Sequence, residues 1–148
     1  MSIIDGAPKV DHVAIEVADV DHRLATLLAT GAFTLLREGK RMTTGTRIFM
    51  VGDGTGFKLE LIESPDVTGP TFAHVALRVA DVEQAQTALV DQGWTHSRGP
   101  SAIPAARANS SLVCDAGFDL QVISYAPDSP DMVTWTDSVP THFTSGAL

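Results

Sequence analysis

Two stretches of the chain alternate apolar and polar residues in nearly the same order. Residues 12–20 read HVAIEVADV, and residues 74–82 read HVALRVADV. Alternation of this kind predicts a β-strand whose neighbouring side chains point to opposite faces of a sheet. Each strand therefore has one uniformly apolar face, suited to packing under a helix, and one mixed face that begins with a histidine.

A second matching pair closes each half of the chain. Residues 56–62 read GFKLELI, and residues 117–123 read GFDLQVI, 61 positions later. The first pair is offset by 62 positions, so the two offsets differ by a single residue. Two matches at nearly one offset indicate an internal duplication, which predicts two copies of one structural unit.

Both halves predict the same order of elements, βαβββ. We expect strands near residues 10–17, 33–37, 45–51 and 56–63 in the first half, and near 72–79, 94–98, 109–114 and 118–125 in the second. A helix follows the first strand of each half, capped at Asp19 or Asp21 and at Asp81. Gly31 and Gly93 suit the ends of these helices, because glycine readily adopts the left-handed conformation found there.

The fold class predicted from this order is α+β, with two tandem βαβββ modules related by a pseudo-two-fold axis. We place module one at residues 10–64 and module two at 72–126, joined by a linker at 65–71. An N-terminal arm at 1–9 and an extended C-terminal tail at 127–148 complete the chain. Its 148 residues fit one structural domain.

Composition narrows the class of protein. Hydrophobic residues make up 44% and charged residues 19% of the chain, as in an ordinary globular protein. No apolar run is long enough to predict a transmembrane helix. The net charge of −8 argues against nucleic acid and anionic membrane surfaces as partners. We therefore expect a cytoplasmic protein that acts on a small molecule.

Several other residues and one further segment are predicted to lie outside the main site. The proline-bearing segment 99–107 has no clear period and is interpreted as a loop and candidate lid. We expect His22, His96 and His142 at the surface and Cys114 in the core, as a small apolar residue. A single cysteine excludes an internal disulfide and is consistent with the cytoplasm.

The mixed faces of the repeated strands carry four polar residues at equivalent positions. They are His12, Glu60, His74 and Gln121. A pseudo-two-fold axis would bring all four together. A lone histidine in a strand is usually a hydrogen-bonded core residue, but two at equivalent positions beside a carboxylate favour a metal site.

The order and spacing of these motifs resemble the vicinal oxygen chelate superfamily, over about residues 10–125. The pattern is most similar to its glyoxalase I and methylmalonyl-CoA epimerase branch. The resemblance implies a curled sheet that forms a cup, with helices outside and one divalent metal ion per chain on its floor. His12, Glu60, His74 and Gln121 would be the ligands, a set that suits Zn, Ni, Co, Mn or Fe(II). It also implies a homodimer.

The resemblance implies a metal-dependent lyase or isomerase that acts on a small carbonyl compound. Glutamine cannot act as a base, so Gln121 leaves Glu60 as the evident catalytic base and puts a two-base epimerisation in doubt. Two alternatives stay open: an Fe(II)-dependent dioxygenase, and a non-enzymatic protein that binds an antibiotic, as bleomycin-resistance relatives do.

The substrate is less closely defined by the sequence. Five cations are candidate anchors for a substrate carboxylate or phosphate: Lys40, Arg41, Arg47, Arg78 and Arg107. Arg78 and Arg107 are preferred as substrate-binding residues. Strand parity places Arg78 on the same face as His74.

Overall fold

One nine-stranded mixed sheet runs through the computed structural model, which describes residues 2–41, 43–132 and 144–147. The strands are β1 (Lys9–Val17), β2 (Thr34–Lys40), β3 (Arg47–Gly52), β4 (Lys58–Glu63), β5 (Thr71–Arg78), β6 (Thr95–Ile103), β7 (Ala108–Asp115), β8 (Phe118–Tyr125) and β9 (Thr144–Ala147). The helices are α1 (Val20–Ala29) and α2 (Val82–Asp91), with short 3₁₀ turns at Pro104–Ala106 and Pro130–Met132. The βαβββ order predicted for each half is therefore observed, in an α+β fold.

The sheet order shows the duplication directly. It runs β6-β7-β8-β5-β1-β4-β3-β2-β9, so the two modules meet at the antiparallel pair β1 and β5. Within each module the first strand pairs in parallel with the fourth, β1 with β4 and β5 with β8. In the central pair His12 lies opposite Ala76, and His74 lies opposite Ala14. One chain therefore supplies both halves of the cup.

Both helices begin at an aspartate that accepts a hydrogen bond from the backbone of the first turn. Asp19 accepts from the His22 amide and Asp81 from the Gln84 amide, each at 3.0 Å. The apolar faces of β1, β4, β5 and β8 pack under these helices in two separate clusters. One contains Val17, Val20, Phe49 and Leu61; the other contains Ile4, Val79, Val82, Ala85, Leu89, Val113, Leu120 and Val122. The mixed face of the sheet is thereby left for the site.

Residues 99–107 do not form the irregular loop predicted there. β6 continues through Ile103, paired with β7 at Ser101–Ser110 and Ile103–Ala108, and the following turn buries Ala105 and Ala106. β6 lies at one end of the sheet order, and prolines are tolerated on an edge strand because their missing N–H need not be paired. Two register shifts in the β6–β7 ladder accommodate the irregular stretch.

The described parts of the N-terminal arm and of the tail pack against the rest of the fold. In the N-terminal arm, Ile4 is buried in the core of module two, and the Asp5 amide donates to Gln84. In the tail, the turn at Pro130–Met132 buries Asp131 against the sheet. His142 lies outside the described residues.

The smaller expectations can be checked in the same structure. His22 and His96 are exposed, as expected. Cys114 is only half-buried, rather than part of the core. No helix in the described part of the chain is long and apolar enough to cross a membrane. Homodimer formation and a cytoplasmic location stay predictions.

Candidate metal centre

Three of the four predicted ligands converge where the two modules meet. The Nε2 atoms of His12 and His74 lie 3.3 Å apart. Oε1 of Glu60 lies 4.0 Å from the first and 3.6 Å from the second. All three side chains are nearly buried, with exposed fractions of 2% for His12, 7% for His74 and 9% for Glu60. Three potential ligand atoms therefore face one another in a space that is largely shielded from bulk water.

The spacing of these atoms suits a transition metal. The circle through them has a radius of roughly 2.1 Å, the usual length of a bond from zinc to an imidazole nitrogen or a carboxylate oxygen. Gln121 supplies a fourth candidate, because its Oε1 is buried and has no hydrogen-bond partner among the described residues. A buried acceptor without a hydrogen-bond partner lowers stability, so a cation beside this oxygen would be favourable. The residues present thus fit a divalent ion.

The protonation states also fit a metal site. Burial lowers the pKa of His74 to about 4, so its imidazole is neutral near pH 7. Burial alone would raise the pKa of Glu60, but His12, His74 and Arg37 more than reverse this effect and hold it at about 2. Neutral imidazole and ionised carboxylate are the forms that bind metals.

Asp11 fixes the orientation of His12. Its Oδ2 accepts from Nδ1 of His12 at 2.7 Å and from the Tyr125 hydroxyl at 2.6 Å. Its Oδ1 lies 2.9 Å from both Nζ of Lys58 and Nη2 of Arg78. These donors keep the pKa of Asp11 well below its usual value despite burial. With the proton on Nδ1, the lone pair of His12 Nε2 is directed at the cluster.

Arg37 holds the carboxylate of Glu60. Its Nη2 donates to Oε2 of Glu60 at 3.1 Å, and its Nε donates to Oδ1 of Asp131 at 2.9 Å. The bond to Arg37 uses Oε2, so Oε1 stays free to face the histidines. The guanidinium is buried, and its Nη1 has no partner in the described part of the chain. Arg37 therefore orients Glu60 and compensates its charge.

A pocket of about 270 Å³ opens above the cluster. Its lining comes from both modules: Arg37, Arg41, Thr43, Ile48, Glu60, His74, Arg98, Ser101, Ile103, Ala106, Ser110, Gln121 and Ile123. His12 is not among them, so it approaches the cluster from beneath. Glu60 is the only carboxylate in this lining as described. A small molecule in the pocket would contact His74, Glu60 and Gln121 together.

The two preferred substrate-binding arginines lie elsewhere. Arg78 donates to Asp11 through Nε and Nη2, which places it behind His12 rather than in the pocket. Arg107 pairs with Asp128 at the surface and borders a different, more open cavity. Of the other candidate anchors, Arg41 lines the pocket, and Arg47 pairs with Asp21 and Glu63.

Sequence reasoning missed Asp11, Arg37, Asp131 and Arg98. Parity places Asp11 on the face opposite His12, but the β1–β5 ladder shifts register between Val10 and His12, and this irregularity lets Asp11 reach its neighbour. Arg37 and Arg98 carried a usable signal, since they are 61 positions apart, the offset of the second repeated motif. Asp131 carried none, because the tail has no periodicity.

Comparison with known proteins identifies the fold. No protein-family model matches the sequence, and no curated protein matches it significantly. Among solved structures, methylmalonyl-CoA epimerase from Mycobacterium tuberculosis is similar, with 21% identity, a TM-score of 0.70, and coverage of 85% of this chain and 91% of that one.

Two further structures agree. A methylmalonyl-CoA epimerase in complex with methylmalonyl-CoA and ammonium has 19% identity and a TM-score of 0.69, covering 84% of this chain and 99% of that one. A hypothetical protein from Bacillus halodurans C-125 has 18% identity and a TM-score of 0.67, covering 82% and 96%. These likenesses confirm the predicted fold.

Proposed function

We propose that this chain, which has the fold of the vicinal oxygen chelate superfamily, is a metal-dependent isomerase or lyase of a small carbonyl compound. The observation that carries the proposal is the convergence of His12, Glu60 and His74 at the floor of a pocket. The epimerase neighbours support an isomerase, as far as a shared fold can.

The ligands would be His12, His74 and Glu60, with Gln121 as a neutral fourth. When bound, a divalent ion would polarise the oxygens of a carbonyl substrate and make the adjacent C–H bond more acidic. Two neutral imidazoles, one carboxylate and one amide leave such a dication with a net positive charge. That charge favours a substrate that becomes more negative during the reaction.

Glu60 would carry the proton. At rest it is a weak base, because its pKa is held at about 2 and the buried guanidinium of Arg37 stabilises the ionised carboxylate. Substrate oxygens that enter the cluster would compete with Oε1 of Glu60 for the ion. Arg37 would keep its hydrogen bond to Oε2 and so hold the carboxylate at the pocket. Glu60 is the only carboxylate in the described lining, so we propose a one-base transfer that returns the proton to the same face or to a neighbouring carbon.

Metal content tests the ligand assignment. We expect one divalent ion per chain in protein purified without chelator, and elemental analysis should find it missing from the His74→Ala variant. His96→Ala is the matched control, because His96 is exposed. Full occupancy in His74→Ala would contradict the assignment, and absence of metal from the wild type would favour the binding-protein alternative.

Proton transfer is tested separately. In deuterated water, NMR should detect exchange of the C3 protons of 2-oxobutyrate, a small enolisable ketone acid. Glu60→Gln should slow this exchange by about 10²–10⁴-fold, as for loss of a general base, while the circular dichroism spectrum is unchanged. An active Glu60→Gln enzyme would leave Glu60 as a structural ligand only.

A second candidate follows from the composition of the cluster. Two histidines and one carboxylate are the ligand set of many non-haem Fe(II) oxygenases. The function would then be oxidation of a small molecule by O₂. Oxygen consumption that requires Fe(II) and a substrate would favour this candidate, whereas deuterium exchange without oxygen uptake would favour the isomerase or lyase.

A further inference from the structure

The two modules place an arginine at equivalent positions beside the cluster. In module one, Arg37 pairs in register with Met50, and Met50 pairs with Glu60 on the next strand. In module two, Arg98 pairs with Leu112, which pairs with Gln121. Each arginine is therefore two strands away from the polar residue of its own module. The pseudo-two-fold axis relates Arg37 to Arg98 as it relates Glu60 to Gln121.

The partners of these arginines differ. Arg37 is buried and paired with two carboxylates, Glu60 and Asp131. Arg98 is exposed at the pocket, and the residue in the place of Glu60 is Gln121, which carries no charge. Gln121 does not bond to Arg98, and its Oε1 is left without a partner among the described residues. Arg98 therefore has no carboxylate at the position where Glu60 pairs with Arg37.

The absence of a partner for Arg98 is unusual in this acidic chain, which has 18 acidic and 10 basic residues. Four arginines pair with a carboxylate: Arg37, Arg47, Arg78 and Arg107. Arg23 bonds to Thr26. Within the described residues, the side chains of Arg41 and Arg98 alone among the arginines have no bonding partner, and both line the pocket. Two unpaired guanidiniums thus flank one cavity, one from each module.

Arg98 lines the same pocket as His74 and Glu60, so one small ligand could contact the arginine and the cluster together. A pocket of about 270 Å³ is at the small end of ligand sites, so such a ligand would be a compact molecule.

We infer that the substrate carries an anionic group, a carboxylate or a phosphate, which Arg98 and Arg41 bind while the carbonyl end of the molecule lies over His74 and Glu60. The inference rests on the proposed function for the carbonyl end. The anionic end rests on the two unpaired arginines alone. Arg98 and Arg41 set the orientation: the anion lies between these two arginines, and the reacting carbon lies beside Glu60, the only carboxylate in the described lining.

The test compares an anionic probe with a neutral one. Isothermal titration calorimetry would measure binding of 2-oxobutyrate and of its neutral amide, 2-oxobutanamide, which both present adjacent oxygens but differ in charge. Arg98→Gln should weaken 2-oxobutyrate binding about tenfold or more, as for loss of a charged hydrogen bond, and leave binding of the amide within about twofold. Arg41→Gln should act in the same direction. Arg98 is exposed, so its replacement does not threaten folding.

Arg107→Gln is the matched control, because it removes the same charge from the surface outside this pocket. An equal loss in Arg107→Gln would show a general charge effect and overturn the inference. So would unchanged 2-oxobutyrate binding in both Arg98→Gln and Arg41→Gln, or failure of the wild type to prefer 2-oxobutyrate to 2-oxobutanamide. Inorganic phosphate as a competitor distinguishes the two anions: displacement of 2-oxobutyrate indicates a site that also accepts phosphate, and no displacement indicates carboxylate alone.

The same titrations on protein as purified and after chelation separate this inference from the proposed function. If the preference for the anion depends on Arg98 in both samples, the anion site stands whether or not metal is bound. If metal analysis fails to find an ion but Arg98→Gln still abolishes the preference, only the proposed function fails.

Discussion

Replacing Asp11 by Asn should weaken both the fold and metal binding. Asp11 is 2% exposed, and each of its oxygens faces donors from two residues. Oδ2 accepts hydrogen bonds from His12 and Tyr125, whereas Oδ1 forms ion pairs with Lys58 and Arg78. The amide of Asn presents an NH₂ group in place of one oxygen, so one pair of donors would face another donor. The negative charge that compensates Lys58 is lost in either orientation.

The expected loss of stability depends on which contacts Lys58 keeps in the variant. Removing one partner of a buried ion pair costs about 3–5 kcal/mol, because the other charge is left uncompensated. Lys58 keeps a hydrogen bond to the backbone oxygen of Asp131 at 2.9 Å, so we expect the lower end, about 3 kcal/mol. Loss of the bond that orients a ligating histidine typically lowers metal affinity by about 10–100-fold.

Urea unfolding of metal-free protein would measure the first effect, and competition with a chromophoric chelator the second. Asp128→Asn is the control, because its bridge to Arg107 is exposed and should contribute less than about 1 kcal/mol. Tyr125→Phe removes another donor to Asp11 but leaves His12 in place, so it should change metal affinity little. Wild-type metal affinity in Asp11→Asn, or an equal loss in Tyr125→Phe, would refute the role of Asp11 in orienting His12.

Two further predictions concern other charged contacts. Gln121→Glu should retain metal and weaken 2-oxobutyrate binding, because the new carboxylate would compensate Arg98 as Glu60 compensates Arg37; calorimetry showing unchanged 2-oxobutyrate affinity would contradict this. Arg47→Met should lower stability at neutral pH, because Arg47 bonds to the carboxylates of Asp21 and Glu63 and lowers their pKa values. The difference in stability from the wild type should shrink below about pH 4, as these carboxylates become protonated. Urea unfolding across pH measures it, and a difference that persists to about pH 2 would contradict the ion-pair origin.

The duplicated strands made the centre of the fold predictable. Strand parity and the repeat offset placed His12, Glu60, His74 and Gln121 on one face, and the structure brings three of them within 4.0 Å while Gln121 lines the same pocket. This worked because a strand has only two faces, and a second copy of the pattern removes most of the ambiguity. The same logic gave the element order and the positions of both helices.

The residues around the cluster depend on contacts that periodicity does not encode. Asp11 reaches His12 only because β1 is irregular there. Asp131 reaches Arg37 because a 3₁₀ turn in the tail folds onto the sheet, over a separation of 94 residues. Arg78 was assigned to the pocket by parity alone, but the carboxylate of Asp11 draws its side chain behind His12. Parity assigns a face, whereas the final direction of a long charged side chain depends on where its counter-charge lies.

A single difference between the modules is enough to divide their roles. Were residue 121 a glutamate, Arg98 would have a carboxylate two strands away, as Arg37 has Glu60, and each module would present one compensated ion pair to the pocket. With Gln121, module one keeps the ion pair and therefore the carboxylate that can carry a proton. Module two keeps an uncompensated cation and a neutral amide, which suit an anion and an additional metal ligand. Under the proposed function, the carboxylate of module one would serve proton transfer, whereas the uncharged Gln121 of module two leaves Arg98 available to bind an anion.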